Sequence, residues 1–86
     1  MSWNYRVLKQ KYTDPKTGAV EYSLGIHEVY YDKEGKPNGY TEDEAVVVIS
    51  EDEGIETLGE ILGMMRKALT LPVLTPEDCG GESNAD

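Results

Sequence analysis

Apolar and polar positions alternate at the start of the chain. Trp3, Tyr5 and Val7 are separated by Asn4 and Arg6, a period of two that predicts a strand from about Trp3 to Tyr12 with aromatic and β-branched residues on one side. Asp14, Pro15 and Gly18 in TDPKTG supply a turn. A second strand is expected from about Ala19 to Tyr31, with Val20, Tyr22, Leu24 and Ile26 sharing a face. Beyond Ile26 the phase fails. Glu28 falls in step with Ile26, while Val29 and Tyr31 fall on the other side. Either the far end is exposed on both faces or a bulge near Gly25 shifts the phase, and the bulge is the preferred account.

Asp32-Lys33-Glu34-Gly35 reads as the next turn, with Gly35 supplying the positive φ of a type I turn followed by a G1 bulge. A third extended segment follows from Lys36 to about Thr41. In that register Tyr31 faces Lys36 and His27 faces Tyr40, although Pro37-Asn38-Gly39 offers a competing turn. The β-branched run Ala45–Ile49, AVVVI, continues this strand or forms a short fourth one. Thr57-Leu58-Gly59-Glu60 fits a helix capping box. Leu58, Ile61, Leu62, Met65, Ala68 and Leu69 then fall within about 120° of one another at 100° per residue. Glu56 and Glu60 lie at the positive end of the helix dipole, Arg66 and Lys67 lie toward the negative end, and Pro72 stops the helix. Val73 and Leu74 are expected to pack back on the domain. The expected fold is α+β: a three- or four-stranded antiparallel sheet with one amphipathic C-terminal helix packed on one face. It makes a single domain over 1–74 with a disordered acidic tail over 75–86.

Composition narrows the function. The 86 residues carry a net charge of −9, unevenly spread. Residues 1–36 hold six Lys/Arg against five Asp/Glu, whereas residues 37–86 hold two against twelve. The interval Glu42–Glu60 contains eight acids and no base. Direct nucleic-acid binding is disfavoured, because phosphate contact needs a cationic footprint. A basic protein partner is favoured electrostatically. The single cysteine, Cys79, excludes an internal disulfide; its polar surroundings, EDCGGESNAD, lead us to expect an exposed and inert thiol. The opening MSWNYRVLKQ has no apolar region of a signal peptide, and the expectation is a cytoplasmic protein.

The candidate chemistry centres on GIHEVYYDKEGKPNGYTEDE, Gly25–Glu44, with the chain's one histidine. His27 and Glu28 are adjacent, so strand alternation sends them to opposite faces, and one histidine with one distant cysteine does not make a zinc site. Read as a calcium loop from Asp32, the segment has Lys36 and Pro37 at its fifth and sixth positions, where an oxygen ligand and glycine belong. No nucleophile elbow, phosphate loop or acid/base pair stands out. The expectation is therefore a non-enzyme with no metal or cofactor, in which His27 packs beside Tyr40. Gly59 and Gly63 lie off the apolar stripe and each costs about 1 kcal/mol relative to alanine; a smooth outer helix face, open to a partner backbone, is one explanation.

Two resemblances follow from these elements. The order hairpin, strand and helix opening at Glu56-Thr57-Leu58 with Glu60 resembles the partial ribonuclease-H-like domain of HicB-type antitoxins over about residues 3–71. The segment lacks that family's proline-glycine middle strands and an appended DNA-binding module. WNYR at Trp3–Arg6, IHEVYYD with Gly35, GYTE at Gly39–Glu42, and Ala68-Leu69 with PVL at Pro72–Leu74 are similar to a group of small acidic bacterial proteins, which implies no activity. The lead expectation is a small acidic, non-enzymatic interaction module binding a basic protein partner, antitoxin-like in its action. The acids Glu42, Asp43, Glu44, Glu51, Asp52 and Glu53, with Gly59 and Gly63, would form the partner surface. The alternative is a nucleic-acid mimic that uses the same six acids to block a DNA- or RNA-binding site. A third reading is a ligand-binding or enzymatic domain using His27, Glu28 and Tyr40. A homodimer through an open sheet edge is a further possibility.

Overall fold

The computed structural model describes residues 2–80 and the backbone of residues 83 and 84. Strands β1 (Ser2–Thr13) and β2 (Val20–Tyr31) form a long antiparallel hairpin, in register from Ser2↔Tyr31 to Thr13↔Val20 without a shift. Its turn closes through the Asp14 amide on the Ala19 carbonyl (2.8 Å) and the Gly18 amide on the Asp14 carbonyl (2.8 Å), with Gly18 at φ 75°. The expected bulge near Gly25 is absent. The change of phase has another cause: the hairpin buries different faces at different heights. Across the pairs Val7↔Ile26 and Leu8↔Gly25, neighbouring rows point to opposite sides, and both Val7 and Leu8 are buried.

One face carries Trp3, Tyr5, Val7, Ile26 and, toward the turn, Leu24, Tyr22 and Val20. The other carries Asn4, Arg6, Leu8, His27, Val29 and Tyr31. Leu8, His27 and Val29 on this second face are fully buried, whereas Val20, Tyr22 and Leu24 on the first are exposed. Between Lys9–Thr13 and Val20–Leu24 every side chain but Gln10 is exposed, so the turn end of the hairpin projects beyond the core as a two-stranded ribbon.

Strand β3 (Pro37–Thr41) joins β2 antiparallel through Val29↔Tyr40, Tyr30↔Gly39 and Tyr31↔Pro37, with the register shifted between Tyr30 and Tyr31. Tyr40 therefore stands opposite Val29 rather than His27, and Tyr31 opposite Pro37 rather than Lys36. Asp32 is the cause: its amide donates to the Lys36 carbonyl (2.9 Å) and its carboxylate accepts from the amides of Glu34 and Lys36 (both 2.9 Å), so the loop absorbs Lys36. Gly35 takes the positive φ, 81°, that the sequence implied. Ala45–Ile49 forms no strand: the Ala45 amide reaches the Ile26 carbonyl (2.8 Å), and Val46 and Val48 point to solvent.

The helix α1 runs from Ile55 to Ala68 and lies against β1. It starts two residues before the expected cap. Gly54, at φ 85°, is the N-cap, and Thr57 donates its hydroxyl backward to the Glu53 carbonyl (2.9 Å). Ahead of it, a short 3-10 turn over Glu51–Glu53 is closed by the Ser50 amide on the Glu53 carboxylate (3.0 Å). Met65 and Ala68 are buried and Leu58 and Ile61 half-buried, but Leu62 and Leu69, expected in the same stripe, are exposed. No helix among the described residues is long and apolar enough to cross a membrane.

The helix is mid-chain rather than C-terminal. After Pro72 the chain runs along the free edge of β1, where the Leu74 amide donates to the Val7 carbonyl (2.9 Å) and the Lys9 amide to the Leu74 carbonyl (2.8 Å). Residues 75–80, expected within the tail, form a second 3-10 turn over Pro76–Cys79. Thr75 and Asp78 box its start reciprocally: the Thr75 amide reaches the Asp78 carboxylate (2.9 Å) and the Asp78 amide the Thr75 hydroxyl (3.4 Å). Ser83–Asn84 (β4) then pairs parallel to β3 at Tyr40 and Thr41. The remainder of the expected tail, 81, 82, 85 and 86, lies outside the described residues. Cys79 is fully buried, not exposed, and completes a core cluster with Leu8, Val29 and Tyr40, against which Tyr31 and Leu74 pack.

Candidate functional site

A connected set of half-buried polar side chains, with the fully buried His27, lies on the Leu8 face of the sheet. Arg6 donates from Nη2 to the Pro72 carbonyl (2.7 Å) and from Nη1 to the Tyr31 hydroxyl (3.0 Å), and Tyr31 donates onward to Asn4 Oδ1 (2.6 Å). His27, directly across the hairpin from Arg6, lies 2.9 Å from the Thr41 carbonyl through Nδ1. A carbonyl only accepts, so Nδ1 is the donor of this hydrogen bond. His27 Nε2 and Arg6 Nε are both buried without a hydrogen-bond partner. The His27 ring meets the Tyr40 ring edge-on, with centroids 6.1 Å apart at 78°, so the pair expected from sequence is in contact although not directly opposite.

Gly25 leaves room beside it. A Cβ there would stand 2.9 Å from Glu44 Cγ and 3.5 Å from His27 Nε2, so the bare backbone lets the Glu44 side chain lie over the sheet next to the imidazole. Glu28, on the opposite face, accepts from the Tyr30 hydroxyl (3.0 Å). His27, Glu28 and Tyr40 are therefore not gathered into one site, and His27 is a packed side chain. A surface cavity of about 180 Å³ lies instead between helix and sheet, lined by Asn4, Tyr5, Met64, Lys67, Ala68 and Leu71. Among the described residues no group of three or more His, Cys, Asp or Glu is placed to hold a metal.

Burial raises the Cys79 thiol above its ordinary range, Asp78 adds to this, and Arg6 opposes it. Burial likewise raises the Tyr40 phenol, with Cys79, Glu77 and Glu42 adding. Groups whose acidity is weakened by folding stabilise the native state below their unfolded pKa, and that contribution is lost as pH rises through the folded one. Stability is therefore expected to fall on the alkaline side, beginning in the thiol range above about pH 8.5. Urea titrations at stepped pH should show Cys79→Ala delaying that fall to the phenol range. An unchanged alkaline limb would mean that the thiol is not the group responsible.

The acids expected to bind a partner are all exposed. Glu42, Asp43 and Glu44 follow β3, and Glu51, Asp52 and Glu53 form the 3-10 turn before the helix. Between the two groups Val46 and Val48 are 75% and 71% exposed. Gly59 and Gly63 lie exposed on the helix, and a Cβ at either would meet nothing within 4 Å, so the fold itself does not require glycine there. Sequence reasoning missed Arg6 and Cys79. Arg6 fell on the polar side of an amphipathic strand, and Cys79 sat in a polar stretch whose only structural signal was the spacing Thr75-Pro76-x-Asp78. The sequence matches no family model, and no curated protein or solved structure is significantly similar to it.

Proposed function

We propose that the chain is a small acidic interaction module of the cytoplasm that binds a basic protein partner and performs no catalysis itself. The observation that carries this reading is the 42–53 segment: exposed valines at 46 and 48, flanked on each side by three exposed acids, in backbone belonging to no strand. Side chains at alternate positions along an extended segment share a side. A partner segment that alternates apolar residues with Lys or Arg would cover the two valines and neutralise the acids. The resemblance of the element order to antitoxins suggests the further proposal that binding inhibits that partner.

The test uses acids whose side chains hold no backbone amide and cover no neighbouring strand. Glu44 lies over Gly25 and Glu53 holds the Ser50 amide, so the variant to make is Glu42→Gln, Asp43→Asn, Glu51→Gln and Asp52→Asn, alongside Val46→Asn with Val48→Asn. Native lysate passed over the immobilised wild type at low salt should yield a basic protein that elutes as salt rises, and both variants should lose it while keeping the wild-type circular dichroism. Capture unaffected by either variant, or no partner at low salt, would overturn the reading. Release of the partner by competing DNA would identify the nucleic-acid-mimic alternative.

A further inference from the structure

Ile55, Leu62 and Leu69 are 80%, 54% and 66% exposed. They are seven residues apart and span only about 40° of the helix circumference at 100° per residue. The stripe sits about a quarter turn from the buried residues Met65 and Ala68, so the same helix has one apolar face against β1 and another facing solvent. Gly59 falls beside the solvent-facing stripe, between Ile55 and Leu62, and a Cβ there would meet nothing within 4 Å outside its own helix. We propose that this stripe is a docking surface for a second copy of this chain, the two helices packing antiparallel about a twofold axis at Leu62.

The pattern is self-complementary. Reversed about Leu62, the spacing is unchanged, so Ile55 of each copy meets Leu69 of the other and Leu62 meets itself, as an isologous contact requires. Charge selects the direction. Glu51, Asp52 and Glu53 precede the helix and Glu56 lies in its first turn, while Arg66 and Lys67 occupy its last turn. Antiparallel packing sets the acidic end of each helix beside the basic end of the other and opposes the two dipoles. Parallel packing would set acids against acids. Gly59 allows the backbones to approach beside Leu62. At roughly 100 Å² per aliphatic side chain, the two stripes alone bury on the order of 600 Å², well under the roughly 1,200 Å² of a standard interface, so the dimer is weak and leans on the charge pairing.

The apolar stripe lies outside the 42–53 segment, although Glu51, Asp52 and Glu53 take part in both surfaces. Sedimentation equilibrium over roughly 10 µM to 1 mM should show the wild type passing from monomer to dimer. Leu62→Glu, at an exposed position, should remain folded and monomeric throughout, and should still capture the basic partner, so failure here is separable from failure of the proposed function. Two further variants test direction. Arg66→Glu with Lys67→Glu, and separately Glu51→Lys with Asp52→Lys, should each weaken self-association about tenfold, and an equimolar mixture of the two should restore it. A wild type monomeric at the highest concentration, a Leu62→Glu protein that dimerises normally, or charge variants that associate as the wild type does would each overturn the proposal.

Discussion

A chain ending at Leu74 is expected to lose about 3 kcal/mol of stability or more, at on the order of 25 cal/mol per Å² of newly exposed apolar surface. Cys79 is one of the fully buried side chains and sits in the cluster with Leu8, Val29 and Tyr40. Removing residues 75–86 strips one wall from that cluster while keeping the Leu74 bridge to β1. Domains of this size commonly have only about 5–10 kcal/mol to lose. Urea denaturation of the two chains under one set of conditions measures it. A truncated chain with the midpoint of the full one would mean that residues 75–80 contribute nothing to the core.

Leu8→Ala should be the most damaging single substitution in the sheet, costing about 2–5 kcal/mol through lost burial and the cavity left behind. Leu8 is fully buried, opposite Gly25, which has no side chain with which to fill the space. The informative control is Leu24→Ala. Leu24 belongs to the row that the alternating pattern marks as the apolar face, yet it is 67% exposed, and its removal should cost about 0.5 kcal/mol or less. Chemical denaturation of both variants decides between the two faces: equal losses, or a larger one at Leu24, would place the core on the wrong side.

These contrasts define what could be read from the chain. The two long strands and both turns were legible to within a residue or two, because alternation and Asp/Gly turn chemistry act locally. The three-stranded antiparallel sheet with one helix on it was legible for the same reason. Which face is buried at which height was not. Leu24, Tyr22 and Val20 make a better apolar row than His27 and Val29, and what decides between them is the distant Pro76–Cys79 turn covering the second row. The helix cap was misplaced because Thr57 and Glu60 satisfy the spacing of a box, whereas Gly54 begins the helix with a positive φ that no side-chain rule encodes. The valine run reads as a strand from β-propensity alone, but propensity does not supply a pairing edge. Of the candidate site, the acids were legible as exposed charges; the half-buried Arg6–Tyr31–Asn4 chain was not, since it depends on which residues lie across the sheet.

The crossing from one sheet edge to the other has a kinetic consequence. The hairpin of β1 and β2 closes through a six-residue turn from Asp14 to Ala19, a local event. Arg6 and Pro72, by contrast, are 66 positions apart, and the Leu74 bridge and the Cys79 wall share that separation scale. Loop-closure entropy must be overcome before these contacts contribute. The expected order of assembly is hairpin first and seal last. Hydrogen exchange at the Lys9 amide, which donates to Leu74, would report when the seal opens and closes.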